Sequence, residues 1–324
     1  MRLATVDVGT NSAKLLICEW SAKSGLTPLS QAHRMIRLGE GVDAYRVLSE
    51  QAIHRLVDTL NEFRGIADQW DVDDLVVVGT SASRDSGSEV IDIVREDTGI
   101  HYHIISGDQE ADLSFEGAVG GLPDLRGRVI TCDIGGGSTE LVEGSSDGQI
   151  RHRVSIDIGS VRITERYFSA LPPNQSEIAS ATAYIQSSLA KLPFPDLGQD
   201  LHLVGASDAQ RLLLELQYQL TQNHSLKYFE QFSGSWRSLE QNDSTHNLLS
   251  RVQLSCWSDC LLQMTYDDIL RLDTMKLHGR ADVFAAAVLI FLEILKRLGK
   301  ESILISPWGL NHGVALRIFK HGRL

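Results

Sequence analysis

The chain alternates between short apolar runs and amphipathic stretches of helical period. Residues 3–8, 13–20, 75–78, 102–105 and 129–134 are rich in Val, Ile, Leu and Thr or bounded by Gly, Asp and Ser, as strands are. Behind Ser49, a residue suited to an N-cap, Ile53, Leu56, Val57, Leu60 and Phe63 share one helical face, so a helix is predicted toward Trp70. Residues 88–98 and 110–118 also read as helices, and the alternation marks residues 1–119 as one α/β unit. Gly120-Gly121-Leu122-Pro123 reads as a hinge, after which residues 120–324 form a second unit. Its strands are expected between 129 and 157, at 201–204 and at 303–305. Its helices are expected at 161–168, 177–192, 248–264, 265–272, 280–298 and 310–319, the last of these free to pack back on the first unit. Residues 217–246, rich in Gln, Asn and Ser, show no period that places them. The longest apolar run, 283–292, is far too short to span a bilayer and reads as a buried helix.

Within this pattern one phrase occurs twice. Asp7-Val8-Gly9-Thr10-Asn11-Ser12 and Asp133-Ile134-Gly135-Gly136-Gly137-Ser138 both run Asp, aliphatic, Gly, two small residues, Ser. Each closes one strand and opens another, so each reads as a hairpin with a tight Gly turn. Glycines let backbone N–H groups approach an anion without a Cβ in the way, and the Thr, Asn and Ser side chains add donors. The Asp at the strand end suits a metal ion that neutralises phosphate charge. A single such loop is an ordinary turn, but two matching loops are what a duplicated α/β domain clamping a phosphate chain between its halves predicts. Asp157-Ile158-Gly159-Ser160 resembles a third copy, but no second strand follows it, so it reads as a strand-to-helix turn.

Composition narrows the partners. Hydrophobic residues at 43% and charged residues at 22% describe a soluble globular protein, and a net charge of −12 argues against general nucleic-acid binding. A polyanionic substrate therefore needs a local basic lining or metal ions. The N-terminus carries no basic segment followed by an apolar core, and Cys18, Cys132, Cys256 and Cys260 have no metal-site spacing. A cytoplasmic protein without membrane association is expected, its cysteines reduced and packed in the core.

Two further residues are candidates for chemistry. Glu110 lies in Ile105-Ser106-Gly107-Asp108-Gln109-Glu110-Ala111, a strand followed by a turn and a helix start. Its position alone is explained by helix capping, yet a two-loop phosphate clamp also needs a base that positions water for attack on phosphorus. Arg84, in Gly79-Thr80-Ser81-Ala82-Ser83-Arg84-Asp85, follows a buried strand where open α/β sheets present ligand loops. It suits either a phosphate oxygen or an ion pair with Asp85 or Asp108.

Taken together, these segments resemble the exopolyphosphatase and guanosine pentaphosphate phosphohydrolase (Ppx/GppA) family, within the actin, Hsp70 and sugar-kinase superfold. Residues 7–12, 80–85, 105–111, 133–141, 158–166, 279–283 and 309–313 match its motifs in order. Gly-rich Asp loops alone also admit sugar kinases and actin-like ATPases, but the Ser-Gly-x-x-Glu-Ala turn does not belong to those relatives. The resemblance implies two duplicated ribonuclease H-like, actin-like ATPase domains with a cleft between them. It further implies Glu110 as general base, and Asp133 and Glu140 as residues that hold Mg²⁺ (or Mn²⁺) and its water. Gly135, Gly136, Gly137 and Ser138 would cradle phosphate, with Asp7, Gly9, Thr10, Asn11 and Ser12 as the facing loop and Arg84 on substrate phosphate. The implied reaction is metal-assisted release of terminal phosphate from polyphosphate or from pppGpp. A homodimer is compatible with the sequence, and the match is to the family's short, two-domain form.

Three departures stand out. Gln109 replaces the first acidic residue of the Ser-Gly-x-Glu-Glu-Ala turn. In Val204-Gly205-Ala206-Ser207-Asp208-Ala209, Asp208 stands where Gly is expected and Ala209 lacks a hydroxyl. Asn311 and His312 replace an Arg-Glu pair. An alternative reading is thus a weakly catalytic regulatory paralogue that binds phosphate or nucleotide, and another is an ATP-dependent small-molecule kinase. On the first alternative, Asp208 repels substrate phosphate.

Overall fold

Two sheets with the same strand order form the frame of the molecule. The structure, a computed structural model, describes residues 1–192, 194, 201–223 and 247–324. In the first sheet β1 (Arg2–Val8), β2 (Ser12–Ser21) and β3 (Gly25–Met35) form an antiparallel meander, and β4 (Asp74–Gly79) and β5 (Tyr102–Ile104) extend it parallel to β1. In the second, β6 (Arg128–Ile134), β7 (Thr139–Ser145) and β8 (Ile150–Ile156) repeat the meander. There β9 (Leu201–Gly205) runs parallel to β6, and an antiparallel edge strand, β10 (Leu248–Ser250), pairs with β11 (Ser302–Ile305). The orders β3-β2-β1-β4-β5 and β8-β7-β6-β9-β11 correspond strand for strand, so the duplicated α/β architecture is borne out.

The helices are α1 (Val42–Tyr45), α2 (Glu50–Gln69), α3 (Ser81–Ser86), α4 (Glu89–Thr98), α5 (Gly107–Gly120), α6 (Ser160–Tyr167) and α7 (Gln175–Leu189). They continue with α8 (Asp208–Asn223), α9 (Arg251–Leu261), α10 (Tyr266–Leu272), α11 (Thr274–Leu277), α12 (Ala281–Arg297) and α13 (Leu310–His321). Alternate residues of the central strands enter different cores. Ala4, Val6, Leu15 and Ile17 pack with α2 and α4, whereas Leu3, Leu16, Cys18 and Val78 pack against Val314, Ala315 and Ile318 of α13. Burial on both faces is why these strands read as continuous apolar runs. In the second sheet Ile130, Cys132 and Leu141 face the large core that includes α12, and Val129, Val142 and Val204 face Phe115 and Ala118 of α5.

Helices α5 and α13 therefore lie between the sheets, and they touch at glycines. A Cβ on Gly313 would come within 1.8 Å of the Leu113 carbonyl oxygen, and one on Gly117 within 2.1 Å of that of Gly309. This close crossing fixes α5, the helix that starts at the candidate site. It also explains why the segment at 309–313, distant in sequence, belongs to the same constellation.

Several local readings need correction. Residues 248–250 are strand rather than the first turn of the expected helix. Leu248 and Leu249 pair with β11, and Ser250 starts α9 through a capping box with Gln253. Strand β3 carries no clean alternation because, as a sheet edge, much of it is half exposed. The unplaced stretch begins inside α8, and its remainder, residues 224–246, lies outside the described residues. The Asp157 to Ser160 turn is the expected strand-to-helix turn, with Gly159 as N-cap of α6. All four cysteines are buried, and among the described residues no helix is long and apolar enough to cross a membrane.

Candidate active site

The two repeated phrases fold into matching hairpin turns that face each other. In each, the Gly N–H donates to the carbonyl of the Ser three residues later, Gly9 to Ser12 and Gly135 to Ser138, both at 2.9 Å. The second turn lies directly on the first. A Cβ on Gly137 would come within 2.4 Å of Ser81 Oγ and 3.0 Å of Thr10 Oγ1, and one on Gly136 within 2.8 Å of Thr10 Cβ. Only glycines fit this approach, and it leaves a cleft of 120 Å³ between the loops. Every sequence-predicted site residue lines that cleft except Arg84, which stands behind its wall.

The repeat extends to the side chains beyond each turn. Asp7 pairs in register with Lys14 across β1 and β2, and Asp133 with Glu140 across β6 and β7. The first pair neutralises itself, with Lys14 Nζ 3.2 Å from Asp7 Oδ2. The second is two carboxylates on one face, a repulsive cross-strand pair. Ser114 on α5 donates to Asp133 Oδ2 at 2.5 Å, and Ser155 on β8 donates to Glu140 Oε1 at 2.7 Å. Burial raises the Glu140 carboxyl well above the usual carboxylate range, and the nearby Glu110 and Asp133 add to the rise.

These are paired hard oxygen donors, and among the described residues no Lys or Arg forms an ion pair with either, which fits a divalent cation. Among the described residues no three His, Cys, Asp or Glu converge into a closed cage. Two carboxylates with room for water and substrate oxygens suit such a cation, and Asp133 and Glu140 are the residues placed to hold one.

Glu110, on the first turn of α5, is only 8% exposed. Arg84 donates to Glu110 Oε2 at 2.6 Å, to the Ile105 carbonyl at 3.1 Å and to Ser138 Oγ at 3.4 Å. Burial nevertheless pushes Glu110 up to about 7, against the pull of Arg84 and aided by Asp7 and Asp133. Arg84 thus pairs with neither Asp85 nor Asp108. Asp85 is taken by Arg162 and Arg46, and Arg153 approaches Asp108.

Capping at this helix falls to other residues. Ser106 and Gln109 form a reciprocal capping box at 3.1 and 2.9 Å, so the Gln109 departure preserves the cap, and Glu110 is left facing the cleft.

Sequence reasoning did not pick out Lys14 or Arg162. Lys14 Nζ lies 2.9 Å from Asp208 Oδ2, and Arg211 bonds the other Asp208 oxygen. Although burial opposes it, Lys14 and Arg211 hold Asp208 well below the usual range, so Asp208 is a neutralised partner rather than a bare charge facing phosphate. Asp7 is raised because burial outweighs the more distant Lys14. Arg162, 4% exposed, donates its Nε to the Gly137 carbonyl at 2.8 Å and bonds Asp85 at 2.5 Å and Asp43. It joins the second loop to the first lobe.

Comparison with known proteins identifies the family. The sequence profile of the Ppx/GppA phosphatase family matches residues 16–321. Exopolyphosphatase 1 of Mycobacterium leprae is 27% identical over 321 residues, covering 98% of this chain and 89% of that protein. A bifunctional 3-dehydroquinate synthase/phosphatase of Fusobacterium nucleatum is 28% identical over 94% of this chain, and the chain spans 44% of that longer protein. The crystal structure of an exopolyphosphatase from Cytophaga hutchinsonii superposes with a TM-score of 0.83 at 26% identity, covering 100% of this chain and 99% of that one. The chain belongs to the Ppx/GppA phosphatase family.

Proposed function

We propose that the protein hydrolyses the terminal phosphoanhydride bond of inorganic polyphosphate or pppGpp, with residues 1–119 and 120–324 as the two lobes and Mg²⁺ or Mn²⁺ as the cation. The observation that carries this reading is Glu110, a buried carboxyl between two phosphate-type loops whose proton affinity sits near neutrality. A base poised there accepts a proton from water at physiological pH. Water oxygen attacks the terminal phosphorus, its proton passes to Glu110, the bond from phosphorus to the bridging oxygen breaks, and inorganic phosphate leaves.

Loop N–H groups of residues 10–12 and 136–138, beyond the Gly9 and Gly135 donors that close the turns, stabilise charge on the equatorial oxygens, and Arg84 orients Glu110 while lying beside Ser138. A cation held by Asp133 and Glu140 supplies neutralisation of phosphate charge when bound. The names of the relatives, exopolyphosphatases and a guanosine-5'-triphosphate,3'-diphosphate pyrophosphatase of Aliivibrio fischeri, support the same substrate class. Nothing at the site favours the regulatory or kinase readings. The experiment is phosphate release from each substrate without an added acceptor, for the wild type and Glu110→Gln. Release that depends on Glu110 supports hydrolysis, and equal release by both proteins removes Glu110 from the reaction.

A further inference from the structure

Beside the cleft lies a second, larger cavity of 820 Å³, and the two share a wall. Lys14 on β2 and Asp208 at the start of α8 line both spaces, and their 2.9 Å bridge spans from the first lobe to the second. Arg211 braces Asp208 and donates to the Ala206 carbonyl at 2.7 Å, and Asn311 donates to the Lys14 carbonyl at 2.9 Å, so the wall is held from both ends. A cleft of 120 Å³ holds little beyond a terminal phosphate, whereas 820 Å³ is the size of an ordinary ligand pocket.

The larger cavity is cationic in a way that its own ion pairs do not cancel. Arg34, Lys276 and Arg211 are matched by Glu62, Glu215 and Asp208. Arg280 lines both cavities, yet among the described residues no carboxylate forms an ion pair with it. Its guanidinium meets the His33 ring at 2.9 Å, and its Nε has no partner. Burial, with Arg280 beside it, lowers His33 to about 4, so that ring is neutral and leaves the guanidinium charge unspent. The departures from the family pattern gather at this place, with Asp208 in the wall and Asn311 and His312 in the larger cavity.

We propose that the Lys14–Asp208 bridge is a specificity-determining gate, and that the cavity behind it, anchored by Arg280, receives the phosphates of a linear chain that are not being hydrolysed. This rests on the proposed hydrolysis. With the gate closed, long chains gain little over short ones. Opening it gives a long chain access to Arg280.

The test compares KM for tripolyphosphate, long-chain inorganic polyphosphate and pppGpp in the wild type, in Asp208→Asn, and in Asp208→Asn combined with Arg280→Gln or with Arg280→Lys. Asp208→Asn leaves Lys14 with Asp7 as its one carboxylate among the described residues and so strengthens its pull on every phosphate, and the gate is therefore read from the ratio of long-chain to tripolyphosphate KM. That ratio is expected to fall at least about fivefold in Asp208→Asn, to return to the wild-type value when Arg280→Gln is added, and to keep part of the fall when Arg280→Lys is added instead. The KM for pppGpp is expected to follow that for tripolyphosphate. Equal changes at every chain length, or a length effect confined to pppGpp, would overturn the gate. If no substrate releases phosphate, the hydrolytic reading fails, and calorimetric binding of the same two chains to the same variants decides the gate by the same ratio.

Discussion

Asp133 and Glu140 face each other in register across β6 and β7, at the positions where Asp7 and Lys14 face each other across β1 and β2. One duplicated hairpin thus carries a self-neutralised pair, and the other carries two carboxylates. The asymmetry assigns different tasks to two loops that look alike in sequence.

Removing one of the like charges should therefore stabilise the metal-free protein. A carboxyl raised in the folded state favours folding while protonated and loses that contribution as pH rises through its folded value, and Glu140→Gln mimics the protonated form. The gain expected at pH 8 is about 1 kcal/mol, a shift of a few degrees in Tm. Thermal scans with and without Mg²⁺ check this. The wild type should be stabilised by the cation and the variant much less, whereas equal metal-induced shifts would place the cation elsewhere.

Glu110→Gln should lower kcat by at least about a hundredfold with little change in substrate affinity. Because Glu110 must be ionised to accept a proton, the wild-type rate should fall as pH drops through about 7. That acidic limb should vanish from the residual activity of the variant. A pH profile unchanged by the substitution would make Glu110 a structural carboxylate only.

Gly137→Ala should abolish most activity, because its methyl group would meet Ser81 Oγ and Cβ. Adding Ser81→Gly removes both of those atoms and should restore part of the rate. Restoration measured as kcat separates a misplaced loop from a misfolded protein, and circular dichroism should be the same for all three proteins.

Arg162→Lys keeps one charge but not the fork that reaches Gly137, Asp85 and Asp43 together. We expect kcat to fall about tenfold and the thermal transition to change less than in Arg162→Met, where Asp43 and Asp85 lose a buried partner. Equal kinetic losses in both variants would mean that charge alone, rather than loop position, is what Arg162 supplies.

Much of this was legible in the chain. The paired Asp-Gly phrases announced both hairpins because a tight turn with a close backbone neighbour restricts residue choice locally. Glu110 stood out because a two-loop phosphate clamp needs a base and through the family resemblance; its position alone reads as a helix cap, a task that the structure gives to Ser106 and Gln109. Asp208 read differently from sequence, as a charge repelling phosphate, because its neutralising partner, Lys14, is 194 residues away by subtraction of their positions and lies in the other lobe. Arg162 was silent for the same reason, since Asp43 and Asp85 meet it only once the lobes are assembled. Strand β3 escaped because an edge strand satisfies fewer of its residues by burial and shows no strict alternation.

The proposed reaction is attack of water on the terminal phosphorus, with Glu110 between the two loops as its base. The most direct measurement is hydrolysis of inorganic polyphosphate in ¹⁸O-labelled water with Mg²⁺ and no added acceptor, followed by mass analysis of the products. The expected result is one labelled oxygen in each released phosphate, none in the shortened chain, and loss of the labelled product in Glu110→Gln. Label in the shortened chain, or no release until an acceptor is supplied, would contradict it.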